Sequence, residues 1–209
     1  MSQFGRLEGV RITEASRRLE LLPYALTSAH TGPSEPGDPF FDGSEASART
    51  GADLRVGVGG NFTLNATVNP DFGQVEADPA VINLTAFETF FEERRPFFVE
   101  DARVFDFSLS GRRNQLFYSR RIGREPQGDG PDDAEFTEIP EATTILGAAK
   151  FTGRTGGGLS VGALAAVTEE ETGRAAFRAG GPGEDFLVEP RAEFGVVRLQ
   201  QDFNDGASA

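Results

Sequence analysis

The sequence of 209 residues contains no cysteine, no tryptophan and a single histidine, and it has no long apolar run. The absence of cysteine excludes a disulfide framework, a thiolate zinc site and a cysteine nucleophile. No stretch of about 18 consecutive apolar residues occurs, which excludes a membrane-spanning helix. A chain of this kind meets a membrane, if at all, through β-strands.

Basic residues are also scarce, with 20 Lys and Arg against 33 Asp and Glu and a formal net charge of -13. Phosphate binding needs a surface of the opposite sign, so this balance argues against a nucleic-acid partner. Residues 1–10 lack the basic stretch and the apolar core of a secretory signal. We therefore expect the chain to begin inside a longer exported protein.

The clearest local pattern is an alternating hairpin over residues 52–69. Leu54, Val56 and Val58 alternate with polar residues or glycine, Gly59 and Gly60 allow a turn, and the alternation then resumes. One side of both arms is apolar and the other is polar. Such a strand pair has lipid or a protein core on one side and water on the other.

Further strands and loops follow from the same kind of pattern. Strands are predicted over residues 18–27, 114–121, 143–152 and 159–168, and one long strand or a pair of strands is predicted over 186–203. Polar loops are predicted over 30–49, 123–140 and 169–185, and a turn at 204–206. Short turns alternate with long polar loops over six or seven strands, which is typical of an outer-membrane barrel. The sequence therefore predicts an all-β fold, an antiparallel meander forming a partial outer-membrane-type β-barrel as one domain over residues 1–209.

Residues 71–113 differ in composition and pattern, because they are rich in phenylalanine and carboxylates and show no alternation with a period of two. Thr85 and Glu88 have the spacing of a capping box, which predicts a short helix over residues 86–93 that ends before Pro96. We expect this segment to lie inside the barrel as a plug. The small residues of the hairpin over 143–168 fit that expectation, because they indicate that something packs closely against them.

Charged residues in and beyond this segment form the first candidate site. They are Asp71, Glu76, Asp78, Glu88, Glu93, Arg94, Arg95, Arg120, Arg121 and Arg124. Carboxylates at this density can bind calcium or act as an acid and base pair. The alternative is a structural cluster in which carboxylates pair with arginines inside a confined lumen, and this reading is favoured.

Aromatic residues and acidic loops supply the other candidates. Phe97 and Phe98 could stack on sugar rings, or they could pack an irregular segment inside a barrel. The acidic loop over residues 129–135 resembles a calcium loop in composition but lacks its ligand spacing. The sequence assigns no catalytic residue, no metal ligand and no cofactor, and His30 is assigned to a loop.

Several stretches closely resemble one bacterial family, the domain of unknown function 5916. They are NPDFGQVEADP (69–79), NLTAFE (83–88), ERRPFFVE (93–100), FYSRRIGR (117–124), IP (139–140) with ILGAAK (145–150), and RLQQDF (198–203). The resemblance runs from about residue 18 to the end. It implies an outer-membrane β-barrel whose full-length members carry an N-terminal domain similar to carbohydrate-binding module family 9. That domain and further barrel strands are expected to be missing here.

The combined expectation is a protein of the cell outer membrane in contact with lipid and linked to saccharide or polymer binding or uptake. Two alternatives remain. One is a polysaccharide-acting hydrolase that uses Asp71, Glu76 or Glu88, and the other is a soluble β-rich domain that binds calcium.

Overall fold

The computed structural model describes residues 19–70, 90–106, 116–179, 181–203 and 207–208, the last two as backbone only. In these residues the protein is all-β, with antiparallel sheets and two helices of a single turn. The larger sheet has seven strands in the order β1-β2-β3-β5-β6-β9-β10. They are Leu19–Thr31 (β1), Ser44–Val58 (β2), Phe62–Val68 (β3), Ile145–Arg154 (β5), Leu159–Thr168 (β6), Glu193–Phe203 (β9) and Ala207–Ser208 (β10).

The predicted hairpin over 52–69 is confirmed, because β2 and β3 pair with Leu54 opposite Ala66 and Val58 opposite Phe62. Gly59 adopts a positive φ of 63° in the turn, a conformation that glycine adopts without strain. The second predicted hairpin is formed by β5 and β6. Strand β9 then pairs with β6, with Leu164 opposite Val196.

The connections of this sheet are short at one end and long at the other. Turns at residues 59–61 and 155–158 join β2 to β3 and β5 to β6, whereas residues 32–43, 69–144 and 169–192 connect the opposite ends. Because neighbouring strands are antiparallel, all the long connections meet at one end of the sheet. The predicted alternation of short turns and long connections is therefore confirmed for the described strands.

Alternation along the strands gives the sheet two unlike faces. We call the face away from residues 90–106 the outer face and the opposite one the inner face. The outer face carries three wholly apolar cross-strand rows from β2 to β9, namely Leu54-Ala66-Ala149-Ala165-Gly195, Val56-Leu64-Phe151-Ala163-Val197 and Val58-Phe62-Gly153-Val161-Leu199. The inner face carries Asp53-Thr67-Ala148-Ala166-Phe194, Arg55-Asn65-Lys150-Leu164-Val196 and Gly57-Thr63-Thr152-Gly162-Arg198. Within these six rows, all the polar residues lie on the inner face.

The core lies between the inner face and the inner segment, our name for residues 90–106. This segment contains α1 (Pro96–Val99) and α2 (Ala102–Phe105). Its buried phenylalanines join residues of the sheet in one cluster formed by Phe98, Phe105, Ile122, Ile145, Ala148, Leu164 and Ala166. The prediction that small strand residues accommodate a packed segment fits this arrangement, since Ala148 and Ala166 lie directly in the cluster.

The second sheet has three short strands in the order β4-β7-β8. They are Phe136–Glu138 (β4), Glu171–Ala176 (β7) and Glu184–Glu189 (β8). Ala175, Ala176 and Val188 are buried. All three strands belong to the long connections, so this sheet stands at that end of the larger one.

All three predicted loops were wrong in extent. Residues 123–140 contain the short strand β4. Residues 30–49 are not all loop, because β1 and β2 extend to Thr31 and from Ser44. Residues 169–185 contain β7 and the start of β8. Residues 30–49 and 169–185 are rich in polar residues that accompany regular backbone pairing, and the hydroxyl of Ser47 bonds across the strands to that of Ser28 on β1 at 2.7 Å. The polar composition of these stretches predicted loops, but cross-strand hydrogen bonds stabilise strands there.

Two other predictions in the irregular region also need correction. The described part of the predicted helix over 86–93 is not helical, and α1 instead begins at Pro96. Proline suits the first turn of a helix, where its missing N–H has no partner to lose. The described part of the predicted strand over 114–121 holds a turn of 3-10 helix at Ser119–Arg121. Residues 71–89, 107–115 and the predicted turn at 204–206 lie outside the described residues.

The close approach of α2 to β6 gives a test of the core. A Cβ at Gly162 would lie 2.3 Å from Cγ1 of Val104 and 3.2 Å from the Phe105 ring. Gly162→Ala should therefore lower the free energy of unfolding by about 1–3 kcal/mol. Denaturant titration followed by circular dichroism measures this loss.

Gly195→Ala is the matched control, because nothing lies within 4 Å of a Cβ at Gly195 on the neighbouring strand. It should be neutral or stabilising by roughly 0.5–1 kcal/mol. Equal effects of the two substitutions would contradict the packing of α2 on Gly162.

Candidate functional site

Lys150 is the only lysine in the sequence, and its side chain is 1% exposed. It points from β5 to the inner segment, where Nζ donates hydrogen bonds to the carbonyl oxygens of Phe97, at 2.6 Å, and Glu100. The ammonium also lies 5.1 Å from the centre of the Phe97 ring. These acceptors surround the carboxyl end of α1, where a cation is favoured by the helix dipole.

Arg198 plays the same part for α2. From β9 its Nη1 donates to the carbonyl oxygens of Arg103, Val104 and Asp106 at 3.2, 3.0 and 3.1 Å. A helix of one turn is not stable by itself, because nucleation costs more than its few hydrogen bonds return. Each short helix is therefore held by a cation of the sheet that binds its last carbonyl groups.

Side chains of the inner segment contribute two further bonds to the sheet. Oγ1 of Thr152 donates to Oδ2 of Asp101 at 2.7 Å. Asp101 has a positive φ of 55°, an uncommon conformation for a residue other than glycine. Arg55 of β2 pairs with Glu100 at 2.7 Å, but both side chains are more than a third exposed, so this pair contributes about 1 kcal/mol at most.

A second polar cluster joins the start of the inner segment to residues 118–122. Nε and Nη2 of Arg95 donate to the two carboxylate oxygens of Glu93, both at 2.8 Å. Nη1 reaches the carbonyl oxygen of Ile122 at 2.5 Å, and Nη2 reaches that of Ser119 at 2.8 Å. Arg95 is 9% exposed, so the arrangement is a buried bidentate ion pair.

Glu93 is held ionised within this cluster. Burial raises the pKa of its carboxyl group, but the hydrogen bonds and charge of Arg95 and the hydroxyl of Ser119 outweigh burial. The pKa of Glu93 therefore lies below the ordinary value of a glutamate. Oγ of Ser119 donates to Oε2 of Glu93 at 2.5 Å.

Tyr118 and Arg120 extend the cluster through backbone bonds. The Tyr118 hydroxyl accepts a bond from the Phe91 N–H at 2.8 Å and donates to the Phe91 carbonyl oxygen at 3.2 Å. Nη1 of Arg120 donates to the carbonyl oxygen of Glu92 at 2.7 Å. The two stretches of chain are thus joined at three successive residues, Phe91, Glu92 and Glu93.

The charged residues predicted as a cluster have different surroundings. Glu93 and Arg95 pair with each other, Arg120 binds backbone, and Arg124 lies 3.7 Å from Glu189 of β8. The backbone N–H of Arg94 donates to the Glu93 carboxylate, and that of Arg121 donates to the Tyr118 carbonyl oxygen. Asp71, Glu76, Asp78 and Glu88 lie outside the described residues, and so do the carboxylates of the hydrolase alternative.

Phe97 and Phe98 lie against the core. Phe98 is buried in it, and the Arg95 guanidinium lies 4.3 Å from the centre of its ring. Phe97 packs partly against the core, and its ring meets that of Phe98 edge to face at 5.0 Å. In both cases the ring packs within the protein. Their role as saccharide contacts stays a prediction.

Within residues 19–70, 90–106, 116–179 and 181–203, no three His, Asp or Glu side chains are placed to hold a metal ion. In the same part of the chain, no helix is long and apolar enough to cross a membrane. The described polar clusters instead attach the inner segment to the sheet, because basic side chains of the sheet bind its carbonyl oxygens.

The sequence interpretation missed Lys150 and Arg198, which anchor the two helices. Lys150 did carry a signal, because it is the one lysine in a chain that otherwise uses arginine, and it stands in an apolar strand. Arg198 carried none, since its acceptors are backbone carbonyl groups, which every sequence has.

The single lysine gives a direct probe of the inner segment. A water-soluble amine-reactive reagent should leave Lys150 unmodified in the native protein and modify it after unfolding, because the folded side chain is buried under α1. Peptide mapping by mass spectrometry measures the extent, and Lys150→Met provides the blank. Equal modification of native and unfolded protein would show that the inner segment does not cover Lys150.

The lowered pKa of Glu93 predicts a dependence on acid. The stability it contributes is present above the pKa of an unfolded glutamate, about 4.3, and is lost as pH falls through the lower folded value. Glu93→Gln should thus be less stable at neutral pH and should lose less stability on acidification. Denaturant midpoints across this pH range test both points.

Glu170→Gln is the control for this titration, because Glu170 is exposed. It should follow the wild-type pH profile. If Glu93→Gln also followed that profile, the buried pair with Arg95 would have no part in acid stability.

Comparison with known proteins places the chain in a family. The family described as Domain of unknown function (DUF5916) matches residues 15–209. No curated protein matches the chain, and no solved structure matches it. The match spans both sheets and the inner segment, so the chain belongs to the family described as Domain of unknown function (DUF5916).

Proposed function

We propose that the chain forms part of the wall of a β-barrel in the outer membrane, with its outer face toward lipid. The observation that carries the proposal is the outer face itself. Three consecutive cross-strand rows over five strands contain only apolar residues and glycine, and several of their side chains are largely exposed, such as Val197 at 69% and Leu199 at 63%. Soluble proteins rarely expose so extended an apolar surface.

Strand lengths support the same placement. Strands β5 and β6 have 10 residues and β9 has 11. A transmembrane β-strand needs about 9–11 residues to cross the hydrocarbon layer at its usual tilt. The short turns and long connections at opposite ends also match the two sides of such a barrel.

The inner face fits the interior of a barrel rather than a second lipid contact. It carries Arg55, Asn65 and Lys150 in one row, and the inner segment covers the part on β5, β6 and β9. A barrel filled in this way serves binding or display better than free diffusion through an open pore. Binding of a saccharide or polymer is proposed from the family resemblance alone.

Cell fractionation and electrophoresis test the membrane placement. The protein should fractionate with outer membranes, and an unboiled sample should migrate differently from a boiled one, because closed barrels resist detergent until heated. Recovery in the soluble fraction, with migration unaffected by boiling, would contradict the proposal.

A charge on the outer face gives a quantitative test. Val197→Arg places a cation near the middle of β9, and in lipid it should lower the free energy of unfolding by about 2–4 kcal/mol. If the outer face were in water, the change would stay within about 0.5 kcal/mol. Unfolding in lipid vesicles, followed by fluorescence or by protease sensitivity, measures the difference.

Leu187→Arg is the matched control. Leu187 is also exposed, at 55%, but it stands on β8 in the smaller sheet, away from the proposed lipid contact. It should tolerate the arginine. Equal losses at Val197 and Leu187 would rule out lipid as the reason for the first.

A further inference from the structure

Two buried polar atoms stand on the inner face of β3. They are Nδ2 of Asn65 and Oγ1 of Thr67, in side chains that are 5% and 2% exposed. Neither atom has a hydrogen-bond partner in the part of the chain that the structure describes. Native proteins leave few buried polar groups unbonded, so this pair indicates a ligand.

Register places the two side chains next to each other on one face. Asn65 and Thr67 are two residues apart on β3 and point to the same face, so their Cα atoms are about 7 Å apart. Asn65 lies between Arg55 of β2 and Lys150 of β5, and Thr67 lies between Asp53 and Ala148. One water that bonds to both atoms requires them to lie within about 5.6 Å of each other, which the Asn65 side chain reaches by leaning along the strand toward Thr67.

The surrounding charges favour a neutral ligand. Arg55 already pairs with Glu100, and the Lys150 ammonium already binds the carbonyl oxygens of Phe97 and Glu100. An anion would find both nearby cations engaged. Buried water typically makes two to four hydrogen bonds to groups of this kind, and it both donates and accepts.

We propose that Asn65 and Thr67 hold one ordered water molecule on the inner face of the sheet. Nδ2 of Asn65 donates to the water oxygen, and the water and the Thr67 hydroxyl share the second hydrogen bond. The bound water lies beside the polar row Arg55-Asn65-Lys150 of the inner face. The inference does not depend on the membrane placement.

A double-mutant cycle tests the proposal in the full chain. Thr67→Val removes the hydroxyl and Asn65→Leu removes the amide, and both keep the side-chain size about the same. Each should lower the thermal unfolding midpoint by about 2–4 °C, the usual effect of losing one hydrogen bond in a chain of this length. The double variant should lose little more than either single variant, because both lose the same water.

Thr152→Val is the reference, since its hydroxyl has a protein partner in Asp101. Thr67→Val should cost about as much. If both single variants left the midpoint unchanged or raised it, with additive effects, the two groups would be bonded to nothing and the proposal would be wrong.

A crystal structure supplies a second readout that does not depend on stability. A density peak should lie within about 2.7–3.2 Å of both Nδ2 of Asn65 and Oγ1 of Thr67. The peak should be absent in Thr67→Val. A well-ordered site without a peak, or one filled by a protein group, would overturn the inference.

Discussion

Lys150 carries a charge into the interior of the protein, and this imposes a condition on everything packed around it. A buried ammonium must be surrounded by acceptors, and here the acceptors are the carbonyl oxygens of Phe97 and Glu100 at the end of α1. The inner segment therefore has one position on β5. Once α1 is placed, Phe98 enters the core with Ile145 and Leu164, and α2 comes to rest against Gly162.

The two faces of the sheet follow from the same division of side chains. Alternation puts Lys150 inside and Ala149 and Phe151 outside, so the strand that anchors the inner segment also contributes to the apolar outer face. A slip of one residue in register would bury Phe151 and carry the charge of Lys150 outward. The buried lysine and the apolar rows thus specify the same register by independent means.

Period-two alternation predicted the parts of the fold in which side chains decide the structure. Sequence predicted the hairpins β2-β3 and β5-β6 and the long connections at one end. In the first hairpin, apolar residues such as Leu54, Val56 and Leu64 recur at every second position, which indicates a buried or lipid-facing side. Strands β4 and β7, the end of β1 and the start of β2 were missed, since backbone pairing holds them and many of their side chains are polar. The start of α1 at Pro96 was missed because the capping pattern at Thr85 and Glu88 predicted a helix ending before that proline.

The candidate site was only partly visible for a similar reason. The density of charge around Glu93 and Arg95 was evident from sequence, and the bidentate pair between them is a contact of two side chains. Lys150, Arg198 and Arg120 bind main-chain carbonyl groups, which no residue type marks.

This use of carbonyl oxygens has an evolutionary consequence. The basic residues of the sheet cannot be replaced freely, because each must place a positive charge at one particular position along its strand. Residues such as Arg103 and Asp106 supply Arg198 with backbone atoms only, so their side chains are free to change without loosening that attachment. Related proteins can therefore diverge in sequence along the inner segment, while the sheet that holds it keeps the same few positions.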